Sequence, residues 1–520
     1  MKIQTALFAF VFISLLCINN TSHAQINFSL GKTVDDPDLV FKWIIDEDPL
    51  SILMLTTTEY AHQSSSIYLK RYNRQTYDLE NTEKMTAPLK DSLLPHFRGF
   101  QKIKDNYYVF SSRYYKKTDV NMLCAHRIDR NGNPVGEMID LDVVNNVTSN
   151  VVGFFGVTAS KNDNAILTYR NKNLNIDDPV KFTLKVFDAD LKLKWEKTVD
   201  VPEYKDEDFT IRDGMVDDNG NVFIKVFVKT TDDERKLHKK IFFKYVILSF
   251  TAENGEMTWH EIPIPATGEY SNVAFDINDR QELVVSGVYC ASRSYSSPMT
   301  GTVFMKFDFG NPKPKTIKMT NLSDSFLRSW IEEPNPLKSK FLQNIHTTKV
   351  YVLPDGGLIT VFERTQFPGQ LRREDQLMIV RYDAEGTVLW EKVILKLQPG
   401  NNFGERYFSH KSFFDGEKIY FIYNDAPGND TITKIEKIKP VDYVGNGKIV
   451  VKSISLDGEL KTERWNWPKQ SPVLFSHHFW FEISDNLFYF IPLENGDCGN
   501  SDGKKCQYFG RISWDPPSVK

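Results

Sequence analysis

A hairpin motif that recurs along this sequence constrains the fold more than any other feature. Its clearest copies are FDADLKLKWEKTV at residues 187–199 and YDAEGTVLWEKVI at residues 382–394. In each, an apolar strand end is followed by a polar turn and a second strand. Looser copies start at Tyr72, Ile128, Phe250, Phe307 and Leu456. Copies of one supersecondary unit spaced roughly 55 to 75 residues apart indicate a ring of four-stranded blades, a β-propeller.

A second kind of hairpin alternates with the first. Its turns are rich in Asp, Asn and Gly, which accept the positive φ of tight turns, and its strands carry β-branched and aromatic residues. Copies of the second hairpin start at Ile44, Lys102, Ala159, Met215, Asp276, Val352, Phe413 and Ile483. The second hairpin therefore occurs eight times, whereas the first occurs seven times.

The unequal counts predict how the ring closes. After the eighth copy of the second hairpin, residues 507–514 supply one more strand but no fourth. A strand-like segment at about residues 26–34 would complete this last blade, which spans about residues 477–515. Such closure removes free sheet edges that promote aggregation. The sequence thus predicts an all-β, eight-bladed β-propeller with N- and C-terminal strand closure, a single domain over residues 25–520. Seven blades with an irregular end is the alternative.

Some of these hairpins resemble known propeller repeats. The frame apolar-Asp-x-x-Gly-x-x-x-Trp at residues 382–390 resembles the repeat of eight-bladed quinoprotein propellers and their non-enzymatic scaffold relatives. The hairpins from Met215 and Val352 resemble NHL-type repeats. The resemblance implies a propeller without identifying one family. The outer-strand tryptophans would be docking tryptophans in a quinoprotein. We interpret them as filling between neighbouring blades, because each ring buries a large apolar area; they are Trp195, Trp259, Trp390 and Trp465.

Residues 1–24 have the features of a secretory signal peptide. Lys2 supplies a positive charge, residues 6–18 are almost entirely apolar, and Ser22 and Ala24 are small residues at the positions that a signal peptidase reads. The apolar run is too short to span a bilayer, and no later segment offers about 18 uncharged apolar residues. We therefore expect an exported protein, periplasmic or extracellular, without a membrane span.

The net charge of the chain argues against nucleic acids and anionic membranes as partners. The chain has 64 Lys and Arg residues against 68 Asp and Glu residues, a net charge of −4. A nucleic-acid or anionic-membrane binder needs an excess of positive charge. We expect no nucleic-acid partner, and we expect a monomer.

Four cysteines follow the signal peptide, and export would permit disulfide formation. Cys498 and Cys506 bracket a single loop and are the predicted disulfide. Cys124 and Cys290 fall in different blades, so we expect them to be buried and free. No pair has the C-x-x-C spacing of a cysteine zinc site.

Long loops are predicted to gather on one face of the propeller. Connections between blades and connections between the two middle strands of a blade open on the same face, which we call the loop-rich face. The long segments on this face are residues 290–300, 321–344, 424–446 and the loop with Cys498. Long loops on a rigid scaffold commonly carry binding sites.

The segment 321–344 contains a predicted short helix. Ser323 has the N-cap position, and Pro334 and Pro336 end the helical region. We expect Trp330 to be exposed there and to contact the ligand, because large aromatic side chains dominate many interfaces.

Titratable residues at the predicted starts of innermost strands form a second candidate site. They are His96, Glu269, His346, Glu405 and His477. Imidazole and carboxylate groups suit a divalent metal, so the three histidines are candidate metal ligands, and a divalent metal is the one cofactor indicated. The alternative, which we favour, is a polar rim that only solvates the mouth of the central channel.

Two functions compete on this sequence. The first is an exported binding or scaffold module that recognises a protein, peptide or glycan through its loop-rich face. The second is a carbohydrate-active lyase or hydrolase that uses the His and Glu ring at the central funnel. No nucleophile elbow and no phosphate-binding loop occurs in the sequence. The fold alone cannot decide between them, because propellers host both activities.

Overall fold

Thirty-five β-strands and two α-helices make up the regular structure within the part of the chain that the computed structural model describes. This part consists of residues 27–33, 41–57, 67–85, 96–115, 117–145, 155–170, 179–237, 243–265, 268–290, 297–366, 373–399, 409–441, 447–463, 473–475, 480–484, 486–490, 493–494 and 508–514. The predicted signal peptide lies outside these ranges and stays a prediction.

The first four blades each consist of four consecutive antiparallel strands. Blade 1 contains β2 (Phe41–Glu47), β3 (Ser51–Thr57), β4 (Ile67–Asn73) and β5 (Leu79–Met85), and blade 2 contains β6 (His96–Ile103), β7 (Asn106–Tyr115), β8 (Val120–Ile128) and β9 (Ile139–Val144). Blade 3 contains β10 (Phe155–Ala159), β11 (Ile166–Arg170), β12 (Pro179–Phe187) and β13 (Leu193–Lys205), and blade 4 contains β14 (Phe209–Val216), β15 (Val222–Lys229), β16 (Phe243–Phe250) and β17 (Met257–Glu261).

Blades 5 to 7 repeat this order. Blade 5 contains β18 (Glu269–Ile277), β19 (Leu283–Cys290), β20 (Met299–Phe307) and β21 (Thr316–Asn321), and blade 6 contains β22 (Ile345–Val352), β23 (Leu358–Gln366), β24 (Arg373–Tyr382), β25 (Val388–Ile394) and the short β26 (Gln398–Pro399) on β24. Blade 7 contains β27 (His410–Phe414), β28 (Lys418–Asp425), β29 (Lys448–Ser455) and β30 (Leu460–Glu463). First strands of neighbouring blades contact one another, as β18 and β22 do, which places the first strands innermost.

The eighth blade joins the two ends of the chain. Its strands are β32 (Trp480–Ser484), β33 (Leu487–Phe490), β35 (Tyr508–Ser513) and, outermost, β1 (Asn27–Thr33). Asn27 lies opposite Ser513 in the β1–β35 register. The short strands β31 (Val473–Leu474) and β34 (Leu493–Glu494) pair separately. The eight blades and their terminal-strand closure are confirmed, and the seven-bladed alternative is wrong.

An ion pair links blade 8 to blade 1. The Arg511 guanidinium on β35 donates to the Glu47 carboxylate on β2, with Nη2 and Nε at 2.8 and 3.0 Å from its oxygens. The Tyr489 hydroxyl on β33 donates to the same carboxylate. Bidentate Arg–carboxylate contacts are among the stronger charged hydrogen bonds, so this pair supports the closure.

The hydrophobic core lies between neighbouring blades. β15 has the sequence VFIKVFVK, and its Val222, Ile224, Val226 and Val228 pack in one cluster with side chains of blade 3. The rings of Phe182 on β12 and Phe209 on β14 lie 6.0 Å apart across the same interface. Strands covered on both faces need near-continuous apolar sequence, which explains why the middle strands read this way.

Two of the outer-strand tryptophans pack against the next blade, as predicted. Trp195 Nε1 donates to the Gly220 carbonyl at 3.0 Å, and Trp390 Nε1 donates to the Leu456 carbonyl at 3.0 Å. Both acceptors lie in turns of the following blade, so each half-buried indole ties two blades together. Trp259 stacks with Tyr204 of blade 3 at a ring distance of 6.2 Å. Trp465 lies outside the described residues.

The described cysteines match their prediction. Cys124 on β8 and Cys290 at the end of β19 are buried and free. Burial raises the pKa of the Cys124 thiol to about 12 and that of Cys290 to about 11, so neither is a reactive thiolate. Cys498 and Cys506 lie outside the described residues, and their disulfide stays a prediction. No helix in the described ranges has the length and apolar character needed to cross a membrane.

Candidate functional site

The loop-rich face carries both α-helices. α1 (Asp232–Leu237) lies between the middle strands of blade 4, and α2 (Asp324–Trp330) lies in the connection from blade 5 to blade 6. Two 3-10 helices, Pro336–Lys338 and Lys340–Leu342, complete that connection. The insertions therefore gather where the connectivity of a propeller predicts.

The predicted capping of α2 is confirmed. Ser323 Oγ accepts a hydrogen bond from the Phe326 backbone N–H at 3.1 Å, and it donates to Glu391 Oε2 on β25 at 3.0 Å. A side-chain acceptor at the N-cap satisfies a backbone donor that the helix itself leaves free. The second contact also fixes the start of the helix to blade 6.

Trp330 is buried, and the prediction that it is exposed is wrong. It ends α2 with only 1% of its surface exposed, in one apolar cluster with Phe326, Leu327, Ile435 and Ile438. The two isoleucines belong to a loop of blade 7, so the indole fills the contact between two insertions. A side chain this deeply buried does not reach a macromolecular ligand.

Polar contacts join the same two insertions at the surface. The Glu332 backbone N–H donates to Glu436 Oε1 at 2.9 Å, and Lys437 Nζ lies 2.5 Å from Glu332 Oε1. Lys434 Nζ donates to the Arg328 carbonyl at 2.6 Å. We call the joined segments 321–344 and 424–441 the cap.

Hydrogen bonds of a buried asparagine stabilise the blade 7 part of the cap. Asn429 is buried, and its side chain donates to Asp425 Oδ1 at 2.7 Å and to the Lys439 carbonyl at 2.9 Å. Asn429 Oδ1 accepts from the Lys439 N–H at 3.0 Å. Burial raises the pKa of Asp425 to about 6, although the hydrogen bond from Asn429 opposes the shift. This loop is therefore a closed, hydrogen-bonded unit.

A buried ionic network lies at the junction of blades 6 and 7. Glu363 Oε1 is 2.7 Å from Lys396 Nζ and 3.3 Å from His410 Nδ1, and Ser409 Oγ donates to its other oxygen at 2.8 Å. Lys396 also donates to Gln398 Oε1 at 2.8 Å. Burial by itself would raise the pKa of Glu363, but the Lys396 and His410 charges outweigh it and hold that pKa well below its usual range.

A second buried ion pair anchors the cap to blade 6. Asp375 pairs with Arg364 and also accepts from Arg373 Nε at 2.8 Å. Arg364 donates to the Lys340 and Gln343 carbonyls at 2.8 and 3.2 Å, which lie in the connection 321–344. Burial lowers the pKa of Arg364 to about 10, and its contact with Asp375 opposes that shift. The backbone of the cap is thus held by side chains of the blade below.

These networks were not predicted from the sequence. Glu363 and Arg364 lie near the end of β23, whose first residues are mostly apolar, and Glu374 and Asp375 are the second and third residues of β24. Charged residues at the ends of strands usually face solvent, and only the adjacent long loops indicated that these ends are covered.

The central channel contains a cavity of about 990 Å³. The innermost strands of blades 8, 1 and 2 and the start of blade 3 bound it, with Trp43, Phe100 and Trp480 as aromatic lining residues. Arg98 and Lys161 lie in the same wall. Ligand sites are typically concave and combine apolar surface with polar groups that orient the ligand. In this cavity, polar and apolar atoms contribute about equally to the lining.

The predicted ring of titratable residues is described only in part. His96 and Glu269 begin β6 and β18, and His346 is the second residue of β22, so these three start innermost strands as expected. Glu405 and His477 lie outside the described residues. Within the ranges described above, no three His, Cys, Asp or Glu residues form a group that could hold a metal ion. The three-histidine metal site and the lyase or hydrolase activity stay predictions.

Comparisons with known proteins yield structural similarity only. The sequence matches no family model, and no curated protein matches it. Many solved structures, among them the following three, are similar in shape. The WD40 domain of SCAP from fission yeast is 7% identical with a TM-score of 0.39, and the match covers 94% of this chain and 98% of that one.

For the quinohemoprotein alcohol dehydrogenase from Comamonas testosteroni, identity is 10%, the TM-score is 0.40, and coverage is 92% and 76%. For the β-propeller domain of the Trilobed protease from Pyrococcus furiosus, identity is 11%, the TM-score is 0.34, and coverage is 82% and 100%. Quinoprotein-type propellers, which the sequence resembles, are thus among the similar structures. The count of eight blades rests on the strand pairing of this chain.

Proposed function

We propose that this protein is an exported binding or scaffold module that holds a protein, peptide or glycan ligand on its loop-rich face, at the cap. The observation that supports the proposal is the union of two insertions from different blades into one packed unit. Phe326, Trp330 and Ile435 form its interior, and Glu332 and Lys437 form an ion pair at its surface.

A surface of this kind suits recognition because its shape is formed before the ligand arrives. Binding then costs less conformational entropy than the ordering of free loops would. Surface loops without a function would not need hydrogen bonds from buried side chains such as Asn429 and Arg364 to hold their backbone. The near-neutral net charge of −4 favours a partner recognised by shape and local contacts.

The exposed surface of the cap has a mixed character. Leu337 is 45% exposed, and the neighbouring Lys338 and Lys340 are also exposed. An exposed apolar side chain with charged neighbours in the sequence is compatible with an interface that has an apolar centre and a polar rim. Leu337 is therefore the residue at which we test the proposal.

We expect Leu337→Asp to reduce ligand retention by at least about 10-fold, because a buried unpaired charge at an interface costs more than about 1.4 kcal/mol. Retention is measured by capture from a cell-envelope fraction and from a glycan array, followed by dissociation constants for the captured species.

The matched control is Leu50→Asp. Leu50 is 74% exposed in a turn between β2 and β3, on the opposite face of the ring. Both variants should unfold at the same temperature as the parent, because both leucines are already exposed. Equal retention by the parent and by Leu337→Asp, or an equal loss in Leu50→Asp, would contradict the placement of the ligand at the cap.

A further inference from the structure

We infer that the central channel is a second, separate binding site, which takes an acidic oligosaccharide and anchors one of its carboxylates on Arg98. The inference does not depend on the cap, since no residue of the cap lines the cavity. It rests on the cavity of about 990 Å³, on an arginine in its wall and on the aromatic residues that line the same cavity.

The cavity runs along the channel. Innermost strands begin at the loop-rich face and end at the opposite face. Arg98 is the third residue of β6, near the loop-rich mouth, and Lys161 follows the end of β10, near the opposite mouth. Both line the cavity. A ligand with several negative charges along its length could therefore contact positive charge at both ends.

Arg98 has few protein partners for its charge. Its Nε donates to Ser112 Oγ at 2.7 Å, and no described carboxylate lies within ion-pair distance of its guanidinium. A guanidinium carries five N–H donors in a planar fork that matches a carboxylate. The guanidinium of Arg98 is partly withdrawn from water, and this burial lowers its pKa. A carboxylate ligand would relieve this cost.

The hydroxyl of Ser112 holds this guanidinium in place. Ser112 is fully buried on β7, the strand next to β6. Because the acceptor is buried behind the channel wall, it fixes the Nε side of the guanidinium. The remaining edge is the one available for a bidentate contact.

The other charged groups of the wall leave Arg98 as the main anchor. Lys102 is neutralised by Asp46, at 2.7 Å. Asp163 and Glu482 also line the cavity. Burial raises the pKa of Asp163, and a backbone hydrogen bond from Lys104 opposes that shift. Neither acid lies within ion-pair distance of the Arg98 guanidinium, which leaves Arg98 available to a ligand carboxylate.

Farther round the channel, positive charges lie close to one another. Burial lowers the pKa of Lys411 on β27, and the charge of Lys349 on β22 lowers it further, whereas Glu482 opposes the shift. Lys349 also lies near Asp276 on β18. Lys349 and Lys411 offset the charges of Asp276 and Glu482, and Glu482 is itself a lining residue of the cavity.

The aromatic lining favours a sugar over an extended peptide. Trp43, Phe100 and Trp480 line the cavity and are each partly exposed. The C–H faces of pyranose rings pack on such ring faces, while the sugar hydroxyls remain hydrated. A volume near 1,000 Å³ is at the upper end for small-ligand sites and fits a short oligosaccharide.

The test is isothermal titration of the protein lacking residues 1–24 with trigalacturonic acid. Maltotriose is the neutral sugar control, and triglutamate is the acidic peptide control. We expect trigalacturonate to bind, maltotriose to bind at least about 10-fold more weakly, and Arg98→Gln to weaken trigalacturonate binding by about 10-fold or more, as loss of a charged hydrogen bond predicts.

Arg212→Gln is the matched variant. Arg212 lies exposed on the innermost strand of blade 4, over the Phe227 ring at 5.5 Å, and does not line the cavity. It should bind trigalacturonate like the parent. No binding of trigalacturonate by the parent, or equal weakening in both arginine variants, would overturn the site. Binding of triglutamate in place of trigalacturonate would overturn the sugar assignment. The Leu337→Asp variant measures ligand retention at the cap, which is a different surface. Failure of one proposal therefore does not affect the other.

Discussion

A chain that begins after β1, and therefore lacks residues 1–33, is expected to aggregate and to unfold at a much lower temperature than one that lacks residues 1–24. β1 pairs with β35 from Asn27 opposite Ser513 to Thr33 opposite Tyr508. Its loss removes a set of backbone hydrogen bonds worth on the order of 5 kcal/mol in sum. It also exposes the edge of β35, and exposed edges pair with other chains.

Light scattering after size-exclusion chromatography and calorimetry of the two chains measure this effect. A synthetic peptide of residues 25–34, added in excess, should restore part of the thermal stability by supplying the missing strand. A peptide of the same composition in scrambled order should not. A monomeric truncated chain with an unchanged unfolding temperature would show that the other three strands of blade 8 suffice.

Glu363→Gln is expected to reduce the free energy of unfolding by about 3–5 kcal/mol. Lys396 is fully buried and lies 2.7 Å from Glu363, so the substitution leaves a buried ammonium without its counter-charge. Denaturant unfolding measures the loss. Glu332→Gln is the control, because its partner Lys437 is 63% exposed and surface pairs contribute at most about 1 kcal/mol.

The double variant Glu363→Gln, Lys396→Met tests whether the unpaired ammonium, and not the loss of the ion pair itself, causes the destabilisation. Removal of both charges avoids the unpaired ammonium, so this variant should be more stable than Glu363→Gln alone. A loss in Glu363→Gln no larger than in Glu332→Gln would mean that water reaches this site.

The same carboxylate predicts a dependence of stability on pH. Lys396 and His410 hold the pKa of Glu363 below its ordinary value of 4.5 despite burial. The group therefore contributes stability that is complete above the unfolded pKa and is lost as the pH falls toward the folded pKa. The difference in unfolding free energy between parent and Glu363→Gln should be largest near about pH 7 and should shrink below about pH 4.5. A difference that stays constant to about pH 3 would contradict this assignment.

Much of the fold could be predicted because its signals are local and repeated. A hairpin turn, an outer-strand tryptophan such as Trp390 and an N-cap such as Ser323 each act within a few residues or between adjacent blades. The mismatch between two hairpin counts predicted that β1 would complete the last blade. These features could be predicted because each copy of the repeat has the same structural environment.

The sequence by itself thus determined the ring of eight blades, its closure and the face on which the long loops gather. The tertiary structure alone decided which distant polar residues meet. Glu363 and His410 lie on different blades. Arg98 is distinguished from other arginines by its place in the wall of the central channel, which the sequence does not show. Trp330 is buried because a loop more than a hundred residues away packs on it. Contacts of this kind depend on long-range geometry, which periodic patterns of apolar residues do not encode.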